Sequence, residues 1–199
     1  MKKLYSLLGL LFCLPPLWAQ SGLLSEEELA KQPVYTNLKQ AYQVYDRVYR
    51  LTIKGTGGYY GKVDEVPLDI DTLLHLQYFQ VVNEALERLP PRFGNLEELQ
   101  QLYLGGNQFQ ALPDTLYNLR NLKRLDVQKN RLLRISDKIG QLIHLEYLYL
   151  NDNRELDFLP TEAFKNLRQL KILNAHNTKI PREQLEKIQE MLPKARVEY

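Results

Sequence analysis

Three histidines, at positions 75, 144 and 176, are the side chains best suited to acid–base or metal chemistry near neutral pH. His75 and His144 each stand before a leucine of the same recurring pattern, so we predict that they are solvated and too distant from each other to share a ligand. His176 is better placed, but no serine or carboxylate is predicted beside it, so a Ser-His-Asp triad cannot be assembled. Paired carboxylates are missing from the same predicted surface, where only Asp126 occurs. We therefore predict that the protein is not an enzyme.

Two stretches imitate ligand-binding loops without completing them. Oxygen-bearing side chains with the spacing of a calcium loop occur at Asn151, Asn153, Glu155, Asp157 and Glu162. Leu156 stands where that loop needs glycine, so we predict no metal site. Residues 55–61 are rich in glycine, but Tyr60 stands where a dinucleotide fingerprint requires its third glycine. We predict a flexible insertion there and no cofactor, with Tyr59 and Tyr60 available for contacts at the rim.

The elements that must position these residues follow a strict period. Asn107, Asn130 and Asn153 are 23 residues apart, and each closes the apolar pattern L-x-x-L-x-L-x-x-N. The apolar positions are Leu99, Leu102 and Leu104, then Leu122, Leu125 and Val127, then Leu145, Leu148 and Leu150. Within each unit the alternation of apolar and polar residues predicts a strand that points its leucines into the core and the residue between them outward.

This pattern resembles the leucine-rich repeat family, in its 23-residue Leu-Pro class, exported bacterial type without cysteine caps. The resemblance implies an α/β fold: a right-handed solenoid, or horseshoe, with a parallel inner sheet and short helical outer segments. It implies that Asn107, Asn130 and Asn153 form a structural ladder of side-chain amides bonded to the backbone of adjacent coils. Thr56, Glu84 and Thr178 take the same position in more divergent units. Leu-Pro steps at 89, 112 and 159 begin the outer return of the chain.

The pattern divides the chain into four parts. Residues 1–19 are predicted to be a signal peptide, and residues 20–47 an N-terminal capping helix region that starts with a Ser-x-x-Glu capping box at residues 25–28. Residues 48–181 contain about six repeats. Residues 182–199 are predicted to form a C-terminal capping helix and strand that protect the last edge of the sheet.

Composition and the first residues indicate an exported protein. Lys2 and Lys3 precede an apolar run at residues 4–14, and Ala19 ends a plausible cleavage site. Cys13 is the only cysteine and lies in this segment, so we predict an exported chain without disulfides. The resemblance to leucine-rich repeat proteins without cysteine caps implies a Gram-negative bacterium, with the protein in the periplasm, on the cell surface or secreted. The alternative, acylation of Cys13 in a lipoprotein signal, is disfavoured by the bulky Phe12 before it.

Charge excludes two classes of partner. Without Lys2 and Lys3, the 26 basic residues fall to 24 against 24 acidic residues, so the exported chain is formally neutral. No cluster of lysine and arginine marks a nucleic-acid site, and we predict no membrane insertion of the mature chain.

Binding residues follow from the register of the strands, which places one set of outward side chains on a shared concave face. We predict that partner binding involves Tyr78, Tyr103, Arg124, Asp126, Gln128, Tyr147, Tyr149, Asn151 and His176. Tyrosine and arginine often dominate the binding energy of interfaces, although tyrosine also suits any half-exposed strand. A face of roughly 30 by 12 Å fits an extended peptide, a loop or a glycan chain. The predicted function is therefore recognition of a protein or peptide; the alternatives are a glycan-binding or a self-associating structural envelope protein.

Overall fold

A computed structural model describes residues 22–55 and 63–199. Its backbone forms one open parallel sheet in which each strand pairs with the next strand along the chain. The strands are β1 Val34–Tyr35, β2 Arg50–Thr52, β3 Tyr78–Gln80, β4 Gln101–Tyr103, β5 Arg124–Asp126, β6 Tyr147–Tyr149, β7 Ile172–Asn174 and β8 Arg196–Glu198. This arrangement confirms the predicted solenoid with a parallel inner sheet.

Short helices carry the chain back between the strands. The α-helices are α1 Glu26–Lys31, α2 Leu38–Gln43, α3 Thr161–Phe164 and α4 Arg182–Met191, and 3-10 helices span Tyr45–Arg47, Ile70–Thr72, Pro91–Asn95, Asp114–Asn118 and Asp137–Gln141. Pro90 and Pro113 cap two of the 3-10 helices, as the Leu-Pro steps predict, and Ser136 caps a third through its side chain. Among the described residues, no helix is both long and apolar enough to span a membrane.

The hydrophobic core lies between the inner sheet and the outer helices. The inward leucines of the strands, such as Leu102, Leu125 and Leu148, are fully buried. An aromatic pair joins the sheet to an outer helix, since Phe79 of β3 and Phe93 of the 3-10 helix Pro91–Asn95 pack edge to face with their centroids 5.3 Å apart. Each buried leucine stabilises the fold by about 2 kcal/mol, so the repeated pattern supplies most of the driving force for stacking.

Side-chain amides connect successive coils at the point where each strand ends. The Asn130 Nδ2 group donates to the Leu104 and Val127 carbonyl oxygens, both at 3.0 Å, and Asn130 Oδ1 accepts from the Phe109 backbone N–H at 3.1 Å. Equivalent bonds are made by Asn107 and Asn153. One side chain therefore satisfies backbone groups of its own coil and of the preceding coil, as the predicted ladder requires.

Two divergent ladder positions use different chemistry. The Glu84 carboxylate accepts from the backbone N–H of Gly55 at 2.8 Å and of Val63 at 3.0 Å, so it links the chain on both sides of residues 56–62. Thr178 donates from its hydroxyl to the Ala175 carbonyl oxygen at 2.8 Å. Thr56 and the rest of the glycine-rich stretch, up to residue 61, lie outside the described residues.

The N-terminal cap differs from the predicted helical region. Ser25 and Glu28 form the expected capping box on α1, but α1 ends at Lys31, and β1 lies between α1 and α2. The cause is Pro33, which has no N–H to donate and which holds the preceding residue Gln32 in an extended conformation with ψ 147°. The first edge of the sheet is therefore a two-residue strand paired with β2.

We predict that Asn130→Ala lowers the free energy of unfolding by about 2–4 kcal/mol, because it leaves one buried N–H and two buried carbonyl groups with fewer partners. Urea unfolding followed by circular dichroism measures the change. Asn118→Ala, at an exposed position of a 3-10 helix, is the matched control and should change the value by less than about 0.5 kcal/mol. Equal losses in both variants would contradict a structural role for the ladder.

Candidate functional site

The register of the inner strands brings most of the predicted binding residues onto neighbouring strands. Tyr103 lies opposite Asp126 across β4 and β5, and Arg124 lies opposite Tyr147 across β5 and β6. Tyr149 follows on β6, opposite Asp126. The side chains of these five residues are half-buried, because they stand on the concave face of a sheet whose strands are closely packed.

Arg124, Tyr147 and Tyr149 form a compact group that we call the arginine cluster. The Arg124 Cζ atom lies 4.0 Å from the ring centroid of Tyr147 and 5.6 Å from that of Tyr149. Its Nη1 group donates to the Tyr149 hydroxyl at 3.1 Å. Lys171 Nζ lies 5.6 Å from the Tyr147 centroid and forms an ion pair with Glu146 at 2.5 Å. The cluster places cationic groups against aromatic faces, which attract them.

Tyr78 and Tyr103 form a second aromatic pair, with centroids 5.1 Å apart. Arg50 lies 4.8 Å above the Tyr78 ring, and the Tyr103 hydroxyl donates to Gln101 Oε1 at 3.2 Å. Burial raises the pKa of Tyr103 to about 12 and also raises the pKa of Tyr78, because the phenolate would lose its hydration. Both phenols are therefore neutral at physiological pH and act as hydrogen-bonding and stacking groups.

A row of polar side chains continues along the carboxyl-terminal ends of the central strands. The Asp126 carboxylate accepts from the backbone N–H of Gln128 at 3.1 Å and from its side-chain amide at 3.0 Å. Gln128 Oε1 accepts from Asn151 at 3.1 Å, and Asn151 also donates to Asp152 at 2.9 Å. Burial raises the pKa of Asp126, and the hydrogen bonds from Gln128 act in the opposite direction. The row holds a partly desolvated carboxylate in a fixed orientation.

His176 stands at the far end of this row and is exposed. Its backbone N–H donates to Asn174 Oδ1 at 3.1 Å. The His75 side chain is 41% exposed, and its ring also stacks 6.0 Å from Tyr49 and lies 3.2 Å from a Glu98 carboxylate oxygen. These contacts were not predicted, because Glu98 lies one repeat further along the chain. Within residues 22–55 and 63–199, no group of three or more His, Cys, Asp or Glu side chains is close enough to hold a metal ion.

An N-terminal strap, residues 22–32, lies against the amino-terminal ends of β2 to β4, which the repeat pattern did not predict. Gln77 Oε1 accepts from the Leu24 N–H at 2.9 Å, and Gln100 Nε2 donates to the Leu24 carbonyl oxygen at 2.7 Å. Arg50 donates to the Ala30 carbonyl oxygen at 2.9 Å. Gln77 and Gln100 are only 0% and 2% exposed, so they serve the strap and not a ligand.

The strap covers one end of the concave face. A small cavity of about 130 Å³ separates Leu29 and Ala30 of α1 from Arg50, Tyr78 and Gln101 of the sheet. Tyr78 is therefore partly shielded by α1, whereas the arginine cluster and the polar row remain beyond it. Gln77 and Gln100 stand 23 residues apart, each directly before an inner strand, and this repetition alone does not indicate that a second segment docks there.

An open parallel sheet of repeated coils, with aromatic, basic and amide side chains fixed on its concave face, defines a repeat scaffold. The family model described as a leucine-rich repeat region matches residues 60–195. That match spans well over half of the 199 residues, so the chain belongs to the leucine-rich repeat family. Domains of this family commonly serve as protein-interaction modules.

Solved structures support the fold. A leucine-rich repeat protein of Leptospira interrogans is 21% identical, with 83% of this chain and 58% of that chain covered and a TM-score of 0.55. An internalin of Listeria monocytogenes is 20% identical, with 81% of this chain and 50% of that chain covered and a TM-score of 0.62. A protein described as a TDR receptor is 25% identical, with 74% of this chain and 24% of that chain covered and a TM-score of 0.56. This chain thus spans less than two thirds of these structures. No curated protein matches it.

The raised pKa of Asp126 predicts a pH-dependent stability difference. Because burial favours the protonated form, the stabilising contribution is present below the ordinary pKa of 3.8 and is lost as the pH rises through the higher folded value. The variant Asp126→Asn has no ionisable group at this position, so it does not lose this stabilising contribution. Its free energy of unfolding, relative to that of wild type, should therefore rise between about pH 3 and pH 7. Urea unfolding at several pH values measures this. Asp157→Asn, at an exposed position, is the control; a relative stability that falls with rising pH would contradict the assignment.

The strap predicts a change in hydrogen exchange. Gln77→Ala removes the acceptor of the Leu24 N–H, so backbone amides of residues 22–32 should exchange about fivefold faster or more, since one lost hydrogen bond is worth about 1 kcal/mol or more. Mass spectrometry of peptides from this segment detects it. Gln110→Ala, at an exposed position outside the inner strands, should leave the rates unchanged. Equal rates in wild type and Gln77→Ala would refute the docking of the strap.

Proposed function

We propose that the protein is a non-catalytic binding module that recognises a protein or peptide through the part of the concave face beyond the strap. The single observation that carries this proposal is the arginine cluster, in which a guanidinium is held against two tyrosine rings on adjacent strands. Arginine and tyrosine are the residue types that most often supply binding energy when a partner buries them.

Preorganisation favours binding by this surface. Arg124 is fixed by Tyr147 and Tyr149, and Asp126 is fixed by two hydrogen bonds from Gln128. Side chains that already occupy one orientation lose little conformational entropy when a partner docks. If the same side chains were mobile before binding, the partner would bind less tightly for the same contact area, because their conformational entropy would be lost on binding.

The dimensions of the open part favour a narrow partner. Strands β4 to β7 lie side by side, and three spacings of roughly 4.8 Å give an open length of about 15 Å. This surface is well below the ~800 Å² per side of a standard protein interface. An extended peptide segment or a projecting loop of about five residues matches it, since an extended chain spans about 3.3 Å per residue.

We further propose that the protein acts after export from a bacterial cell. The charged and apolar pattern of residues 1–19 supports export, although this segment lies outside the described residues. Two of the similar structures come from bacteria, and the leucine-rich repeat proteins among such neighbours are often exported.

The decisive experiment is affinity capture from the cell envelope of the producing organism. We expect the Tyr103/Tyr147/Tyr149 triple alanine variant to lose a partner that wild type retains. A Tyr45/Leu133/Phe158 triple alanine variant is the matched control, because these three exposed side chains lie outside the inner strands. Both variants are first checked for folding by circular dichroism. Recovery of the same partners by all three proteins would show that the concave face is not the binding surface.

A further inference from the structure

We propose that the concave face contains a carboxylate subsite, which seats an Asp or Glu side chain of an extended partner peptide beside Arg124. This proposal rests on the proposed function and names the chemistry of its partner. The subsite is a cavity of about 150 Å³ where the tip of the strap meets the central strands. Its lining includes Glu26, Lys123, Arg124, Glu146, Tyr147 and Lys171.

The size of the cavity suits a side chain and not a folded surface. Since one water molecule accounts for about 30 Å³ of liquid, the cavity has room for about five waters. A carboxylate with its methylene groups fills a similar volume. The cavity adjoins the open strands β5 to β7, so an extended backbone lying across them brings one side chain to its mouth.

The charges around the cavity leave a positive excess. Lys171 is paired with Glu146 at 2.5 Å, and this hydrogen bond raises the pKa of Lys171. Within the described part of the chain, Lys123 and Arg124 form no ion pair with any carboxylate. With Glu26 also at the cavity, the three cationic and two acidic side chains leave a net charge of +1.

The guanidinium of Arg124 keeps hydrogen-bonding capacity for a planar anion. Of its five N–H donors, one hydrogen bond is made to a described residue, the Tyr149 hydroxyl. Stacking on the Tyr147 ring leaves the edge of a guanidinium available, and that edge matches the two oxygens of a carboxylate. An acidic side chain can therefore bind in a bidentate manner while its backbone follows the sheet.

Glu26, in the first turn of α1, already presents a carboxylate of this chain to the same cavity. It forms no ion pair with Arg124 or Lys171 within the described residues, although its charge acts on Lys171. A partner carboxylate must enter against this negative charge. Neutralising Glu26 and neutralising Arg124 should therefore change the affinity in opposite directions.

The test uses a fluorescein-labelled peptide of sequence Gly-Ser-Gly-Glu-Glu-Gly-Ser-Gly, its Gln-Gln counterpart and fluorescence anisotropy. We expect the glutamate peptide to bind about fivefold more tightly than the glutamine peptide, and Arg124→Gln to weaken it by about tenfold. Glu26→Gln should strengthen binding by about twofold. The matched controls are Arg154→Gln and Glu97→Gln, two exposed residues outside the inner strands, and each should change the affinity by less than about twofold.

The subsite is overturned if the protein shows no preference for the glutamate peptide, or if Arg124→Gln and Arg154→Gln lose equal affinity for it. Binding of trigalacturonate without binding of the peptide would also overturn it and would assign the cavity to an acidic glycan. The proposed function is tested separately, by capture from the envelope. If Arg124→Gln still captures the partner that the triple tyrosine variant loses, recognition through the concave face stands and the carboxylate subsite fails.

Discussion

The stacking of coils depends on hydrogen bonding at the end of each strand, where the chain must turn inside a dry core. A buried backbone N–H or carbonyl group without a partner costs about 1–3 kcal/mol, and every coil would bury several of them. An asparagine amide carries a donor and an acceptor on a short side chain, so Asn107, Asn130 and Asn153 satisfy both kinds of group in two coils at once. The register of all outward residues follows from this constraint.

The same constraint explains why the central part of the fold could be predicted. Each of these strands alternates inward leucines with outward polar residues and is followed by a position of the asparagine ladder. This pattern fixes which strand side chains between Gln101 and Asn174 point into the core and which point outward. The positions of Tyr103, Arg124, Asp126 and Tyr149 follow directly, and pairing between neighbouring strands reproduces them. The C-terminal helix α4 and strand β8 also lie where amphipathic and alternating patterns predict them.

The N-terminal part could not be predicted in the same way, because its contacts are distant in sequence and polar. The bond from Leu24 to Gln77 joins residues 53 positions apart, and a glutamine gives no local sign that its amide will bind another segment. Glu84 replaces the amide by a carboxylate that accepts two backbone N–H groups, a geometry that no repeat pattern encodes. Pro33 was the one local signal, since it separates α1 from β1. The burial of Asp126 likewise depends on neighbours in three strands.

Because each strand pairs only with its neighbours, the sheet can grow by whole units without disturbing the rest. The strap is anchored by Gln77, Gln100 and Arg50, all in the first half of the stack. An added coil after β6 would leave these anchors in place and lengthen the open face by roughly 4.8 Å. The molecule thus has a fixed end and a region in which whole coils can be inserted, so a change in the number of repeats would lengthen or shorten the concave face while its starting point stays the same.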